Sequence, residues 1–257
     1  MTGALASLLL LSATPADGKL QTFNIDGVQR QAVVYVNMKP APTAAAPLVF
    51  VFHGRGGKAE NAAARFKLHE HWPEAVVVYM QGLPGAAGVK DRAGNQPGWQ
   101  LSPGDQGDRD VKFFDAVLVQ IQKQHKTDPD RVYVLGHSNG ARFANVLWQV
   151  RGDKLAALCS ASAQGGRLIR DCKPKSIFMI MGEKDIIVPF NGQRRSIDLV
   201  RRVLQTDESK AKTEGLARTE IGKDNTELVI YIHPGGHEFP AAAIPLVVKF
   251  FQRHKRE

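Results

Sequence analysis

Residues 48–52, Leu-Val-Phe-Val-Phe, are apolar at five consecutive positions. A strand with one wet face alternates apolar and polar side chains. A run without alternation must be covered on both faces, the condition of a strand inside a largely parallel sheet flanked by helices. Segments 75–80, 131–135, 156–161, 176–181 and 226–232 repeat that character. Helical candidates separate them: 58–71, 111–125, 138–150, 191–204 and 241–254. In the second of these, Val111, Phe114, Val117, Leu118 and Ile121 fall on one face. Two earlier strands, 20–25 and 31–36, are joined by Asp26-Gly27 as a hairpin. The order predicts an α/β fold with a mostly parallel central sheet. With no internal repeat and no linker, residues 19–257 are expected to form a single domain. The stretch 82–107 is rich in Gly and Pro and aperiodic, a length that usually builds a site. The connection between the strands at 156–161 and 176–181 is too short for a large helical lid.

Composition narrows the partners. Of 257 residues, 43% are apolar, too many for a disordered chain, and no apolar run reaches the roughly 20 residues of a membrane span. Against 25 acidic residues stand 34 Lys and Arg, a net charge of +9 that suits a solvated face or an acidic partner. The basic groups Arg194-Arg195, Arg201-Arg202, Lys210, Lys212 and Arg253, Lys255, Arg256 are not interleaved with aromatics. No nucleic-acid partner is expected from them; a solvated face is, or one that adsorbs to an acidic polymer or cell surface. Cys159 and Cys172 lack metal or redox spacing and suit a short-loop disulfide or two buried thiols equally. Asp105, Asp108 and Asp110 match no calcium loop; Asp108 or Asp110 is expected to cap a helix. His69 and His71 diverge, so no metal is expected, and no cofactor motif is present. Residues 1–18 hold a Leu-rich stretch, 4–13, before Thr14-Pro15-Ala16. This suggests an export leader without a basic start, and hence a secreted or periplasmic protein; the competing reading is a segment packed on the body.

The chemistry concentrates at Gly136-His137-Ser138-Asn139-Gly140. This G-x-S-x-G directly follows the strand 131–135 and opens a helix, the setting in which a serine is presented on a sharp, strained turn. A serine hydroxyl needs a base, and the base an orienting acid, in chain order serine, acid, histidine. Asp185, after the turn that ends 176–181, is the candidate acid, with Glu183 its rival. His237, in His233-Pro234-Gly235-Gly236-His237, is the candidate base; His233 ends its strand and is expected to pack there. The turn His53-Gly54-Arg55-Gly56-Gly57 can direct the Arg55 N–H, with that of Asn139, at an oxyanion.

With those residues in place the chain resembles the α/β-hydrolase superfamily, and within it the polyhydroxybutyrate depolymerase and feruloyl or acetylxylan esterase group. Similar stretches include Phe52 to Gly57, Val78 to Gly82, Gly98-Trp99, Asp110 to Phe113, Asp130 to Gly140, Gly182 to Pro189 and Gly235 to Pro240. The resemblance implies an α/β-hydrolase fold without a large lid, a catalytic set of Ser138, Asp185 and His237, and an oxyanion hole from Arg55 and Asn139. It implies a monomeric carboxylesterase, needing no cofactor, for short-chain, feruloyl-like or polyester substrates. Trp99, His53 and His137 are the candidate substrate contacts, with Trp99 pinning its loop as the competing reading. Arg55 departs from the small residue or cysteine common in the group, and its side chain is expected to favour substrates bearing a carboxylate. A polyester depolymerase, an acyltransferase or lipase, and a non-catalytic basic binding module on the same fold remain alternatives.

Overall fold

The computed structural model describes residues 18–36, 45–85 and 91–256; the leader reading at 1–18 therefore lies, but for Gly18, outside the described residues. The chain opens with strands β1 (Lys19–Ile25) and β2 (Val28–Val36), paired antiparallel. Asp26 and Gly27 both have positive φ, as a two-residue hairpin turn requires. Strand β3 (Ala46–Phe52) follows, then helices α1 (Ala59–Phe66) and α2 (Leu68–His71), and β4 (Val76–Met80). The single helix expected over 58–71 is broken at Lys67, whose φ of 47° ends the first piece. The N–H of Leu68, which starts the second, donates to the Tyr79 hydroxyl.

After the long loop come α3 (Arg109–Gln124), β5 (Thr127–His137), α4 (Asn139–Arg151) and β6 (Ala157–Ala161). The chain continues through α5 (Arg167–Arg170), β7 (Ile177–Gly182), α6 (Phe190–Leu204), β8 (Lys212–Glu214) and β9 (Ala217–Ile221). It ends with β10 (Glu227–His233) and α7 (Ile244–Gln252). The ten described strands form one sheet in the order β1-β2-β4-β3-β5-β6-β7-β10-β9-β8. The six from β4 to β10 are parallel, with antiparallel pairs at both edges.

Two apolar layers explain the run at 48–52. Leu48, Phe50 and Phe52 point into one core with α3, α4 and α6; Val49 and Val51 point into the other with α1, α2 and α7. Cys159 and Cys172 lie in opposite layers, both buried and free, so the sheet separates them and the disulfide reading is set aside. Burial pushes both thiols up. Strands β8 and β9 and helix α5 were not expected. The two strands are polar and α5 is only four residues long; β9 is held by a long-range pairing in which buried Glu220 accepts from Arg201 on α6.

Strand β3 lies between β4 and β5, so successive connections leave it in opposite directions. Such a switch point opens a crevice at the carboxyl ends of the strands. The long loop is moored beside it by a buried pair. The Arg30 guanidinium donates to Asp110 at 2.8 Å and lies 4.2 Å over the Phe113 ring. The other oxygen of Asp110 accepts from the Gln100 N–H. Asp108 and Asp105 accept from N–H groups within the loop. These aspartates therefore fasten the loop, and no side-chain cap on α3 is formed, contrary to the sequence expectation. Asp110→Ala would strand a buried guanidinium, and is expected to cost about 3–5 kcal/mol. Urea unfolding checks this: the midpoint should drop at unchanged slope. A loss under about 1 kcal/mol would contradict the mooring role.

Candidate active site

Ser138 joins β5 to α4 with φ 56° and ψ −120°, a conformation that costs a non-glycine residue on the order of 1–3 kcal/mol. The flanking glycines make it attainable by close approach. A Cβ at Gly136 would collide with the Gly140 carbonyl, and one at Gly140 with the carbonyls of Phe52 and His53 at the end of β3. Helix α4 can therefore start directly against the neighbouring strand. The Ser138 N–H donates to Ala161 on β6 at 2.8 Å, which ties the turn to the opposite neighbour as well.

The structure brings the three candidates together. The Ser138 hydroxyl and His237 Nε2 are 2.8 Å apart, and His237 Nδ1 donates to Asp185 Oδ2 at 2.8 Å. Asp185 is buried, with Oδ1 accepting from the N–H groups of Ile187 and Val188. Gln193 on α6, a partner that its sequence context did not reveal, donates to Oδ2. Burial pushes the Asp185 carboxyl up, but the bonds from His237, Val188 and Ile187 outweigh it and hold the carboxyl below its ordinary value. An ionised Asp185 fixes the His237 tautomer with a bare Nε2 facing the serine. Glu183 is exposed and stands outside this chain of bonds.

The turn after β3 packs against the serine: a Cβ at Gly54 would lie 3.4 Å from that of Ser138. Arg55 follows in this turn, and Asn139 supplies the first N–H of α4, which has no acceptor within the helix. The Asn139 side chain has a separate task. Its Oδ1 accepts from the Trp99 N–H at 2.7 Å and its Nδ2 donates to the Trp99 carbonyl, clasping the long loop to the serine turn.

Three expectations are corrected. Trp99 is fully buried between Phe52 and Phe143, with its indole N–H on the His53 carbonyl, so it pins the loop and does not face substrate. His53 is buried too: its Nδ1 donates to the Gly54 carbonyl and its Nε2 accepts from the Gly82 N–H, which holds the turn behind the cleft. The Arg55 guanidinium is 3.4 Å from Asp91, whose carboxylate also accepts from the N–H groups of Asn95 and Gln96. It braces the loop, and its charge is matched by that carboxylate. Among the described residues no cluster of His, Cys, Asp or Glu suits a metal ion. His69 stacks on Tyr35 at 3.7 Å instead.

His137 lines the cleft, and its Nε2 donates to the His237 carbonyl at 2.7 Å, steadying the loop that carries the base. Burial, aided by the neighbouring His237, holds its pKa at about 4 against an ordinary 6.5. The unfolded chain takes up this proton near pH 6.5 and the folded chain only near 4, so stability falls as the pH drops through that window. His137 alone should cost about 2 kcal/mol between pH 7 and pH 5. Urea unfolding at the two pH values should show a smaller loss in His137→Gln; equal losses in both proteins would contradict this.

The cleft above Ser138 has a volume of about 580 Å³, and the described residues place no large lid over it. No family model matches the chain. Over 161 residues it is 30% identical to the protein of Nocardia uniformis subsp. tsuyamanensis named "Putative esterase NocK". That match covers 60% of this chain and 44% of the relative, so the chain spans less than half of the relative's length. Among solved structures it is similar to a ferulic acid esterase, with 14% identity, TM-score 0.66 and coverage of 93% of this chain and 99% of that one. It is also similar to an S-formylglutathione hydrolase from Agrobacterium tumefaciens, with 13% identity, TM-score 0.67 and coverage of 93% and 96%. The sheet order, the crevice at its switch point and these likenesses agree on one framework: the chain has the α/β-hydrolase fold.

Proposed function

We propose that the chain is a serine carboxylic-ester hydrolase working through an acyl-enzyme. The observation that carries this reading is the continuous relay Ser138–His237–Asp185, with both links at 2.8 Å, at the floor of an open cleft. His237 Nε2 takes the Ser138 proton as Oγ attacks the ester carbonyl, and Asp185 stabilises the imidazolium that results. The N–H groups of Asn139 and Arg55 receive the oxyanion, each such donor contributing about 3–4 kcal/mol to the transition state. Protonated His237 then gives its proton to the leaving alcohol. Water, activated by the same histidine, releases the acid and restores Ser138.

The likenesses to a ferulic acid esterase and to the Nocardia protein support ester hydrolysis as the reaction class. A cleft without a large lid favours bulky aromatic esters and the ends of polyester chains, so a feruloyl-type esterase and a polyester depolymerase are the two substrate readings. Export through the leader is part of the same proposal. Ser138→Ala should lower kcat on p-nitrophenyl acetate by about 10⁴-fold or more while the melting temperature barely moves. Hydrolysis at the original rate in that variant would sink the assignment.

A further inference from the structure

The walls of the cleft carry more positive charge than an oxyanion requires. Arg55, Arg65 and Arg142 line it, and no aspartate or glutamate does among the described residues. Arg55 is matched by Asp91. The other two are not: among the described residues, neither has a carboxylate within 4.0 Å.

Arg142 stands one helical turn after the serine, and its N–H donates to the Ser138 carbonyl. Its guanidinium is set by three main-chain carbonyls, with Nε on Leu101 at 2.9 Å and Nη1 on Gln164 and Gly165 at 2.9 and 3.0 Å. Carbonyl dipoles orient the group without cancelling its charge, and the two hydrogens of Nη2 have no partner among the described residues. Ser162, in the segment just before those carbonyls, adds a fully buried hydroxyl without a partner that also lines the cleft. Arg65 reaches the rim from α1 and is exposed. One stretch of the wall is apolar, formed by Ile187, Val188 and Pro189, with Ile186 protruding beside them at 90% exposure.

A fixed guanidinium that feels Asp105 only from beyond ion-pair distance, and that keeps a free pair of hydrogens, is built to receive a carboxylate, and a second cation at the mouth draws such an anion in. Resting on the esterase reading above, we propose that the preferred substrates are esters with an apolar body and a free carboxylate, held by Arg142 and steered by Arg65.

Matched pairs test this: 4-nitrophenyl hydrogen adipate against 4-nitrophenyl methyl adipate places the carboxylate on the acyl side, and 4-acetoxybenzoate against its methyl ester places it on the alcohol side. In at least one pair the charged ester should show kcat/KM about tenfold above the capped one at low salt. That ratio should shrink at about 0.5 M NaCl and drop several-fold in Arg142→Gln and Arg65→Gln. Arg65→Gln changes an exposed position, so it carries the test if Arg142→Gln fails to fold. Ratios near one in both pairs, or ratios untouched by either variant, would overturn the proposal, while Ser138-dependent hydrolysis of the capped esters would leave the esterase reading standing. If no ester in either pair is hydrolysed, that reading falls. Calorimetry with adipate then decides the anion site: binding lost in Arg142→Gln supports it, and no binding to the intact protein overturns it.

Discussion

The site depends on how closely α4 can start against the sheet. Gly140 lies against the main chain at the end of β3, and Gly136 against Gly140, so the turn between them has room for one strained residue. Ser138 is that residue. Its conformation is held from both sides, by β3 through the glycine contacts and by β6 through the bond to Ala161. The strain is small beside the burial of β5 in two apolar layers, and the reward is a hydroxyl that stands clear of the sheet. Every other part of the site leaves from the carboxyl end of a parallel strand: the Arg55 turn from β3, Asp185 from β7 and His237 from β10.

What could be read from the sequence was what local chemistry dictates. Apolar residues on consecutive positions located the buried strands, and the glycines around Ser138, together with the chain order of acid and histidine, located the relay. What could not be read depends on contacts between distant segments. Gln193 becomes a partner of Asp185 only once α6 folds back over β7, and Arg142 enters the cleft because carbonyls 41, 22 and 23 residues away hold it there. Trp99 shows the same limit in reverse. An aromatic on an irregular loop looks like a substrate contact in one dimension, yet Asn139 and two phenylalanines draw it into the core. Polar edge strands such as β8 and β9 give no periodic signal, since a far-off pairing partner defines them.

Charge follows the same division. Several basic groups that contribute to the +9 balance are answered where they stand: Arg201 by Glu220 and Glu208, Arg253 by Glu227, Arg256 by Asp130. Glu220 and Glu227 are buried, so those pairs fasten the edge of the sheet and the last helix, away from the cleft. Arg142 differs because the groups bonded to it are carbonyls, which orient it without an ion-pair partner.

The central claim is that Ser138, activated by His237, is a nucleophile. Incubating the intact protein with a fluorophosphonate and mapping the adduct by peptide mass spectrometry tests this most directly. The account predicts one phosphonyl group per chain, located on Ser138, with labelling strongly slowed in His237→Ala. A protein that stays unlabelled, or one labelled at another serine while Ser138 is spared, would contradict it.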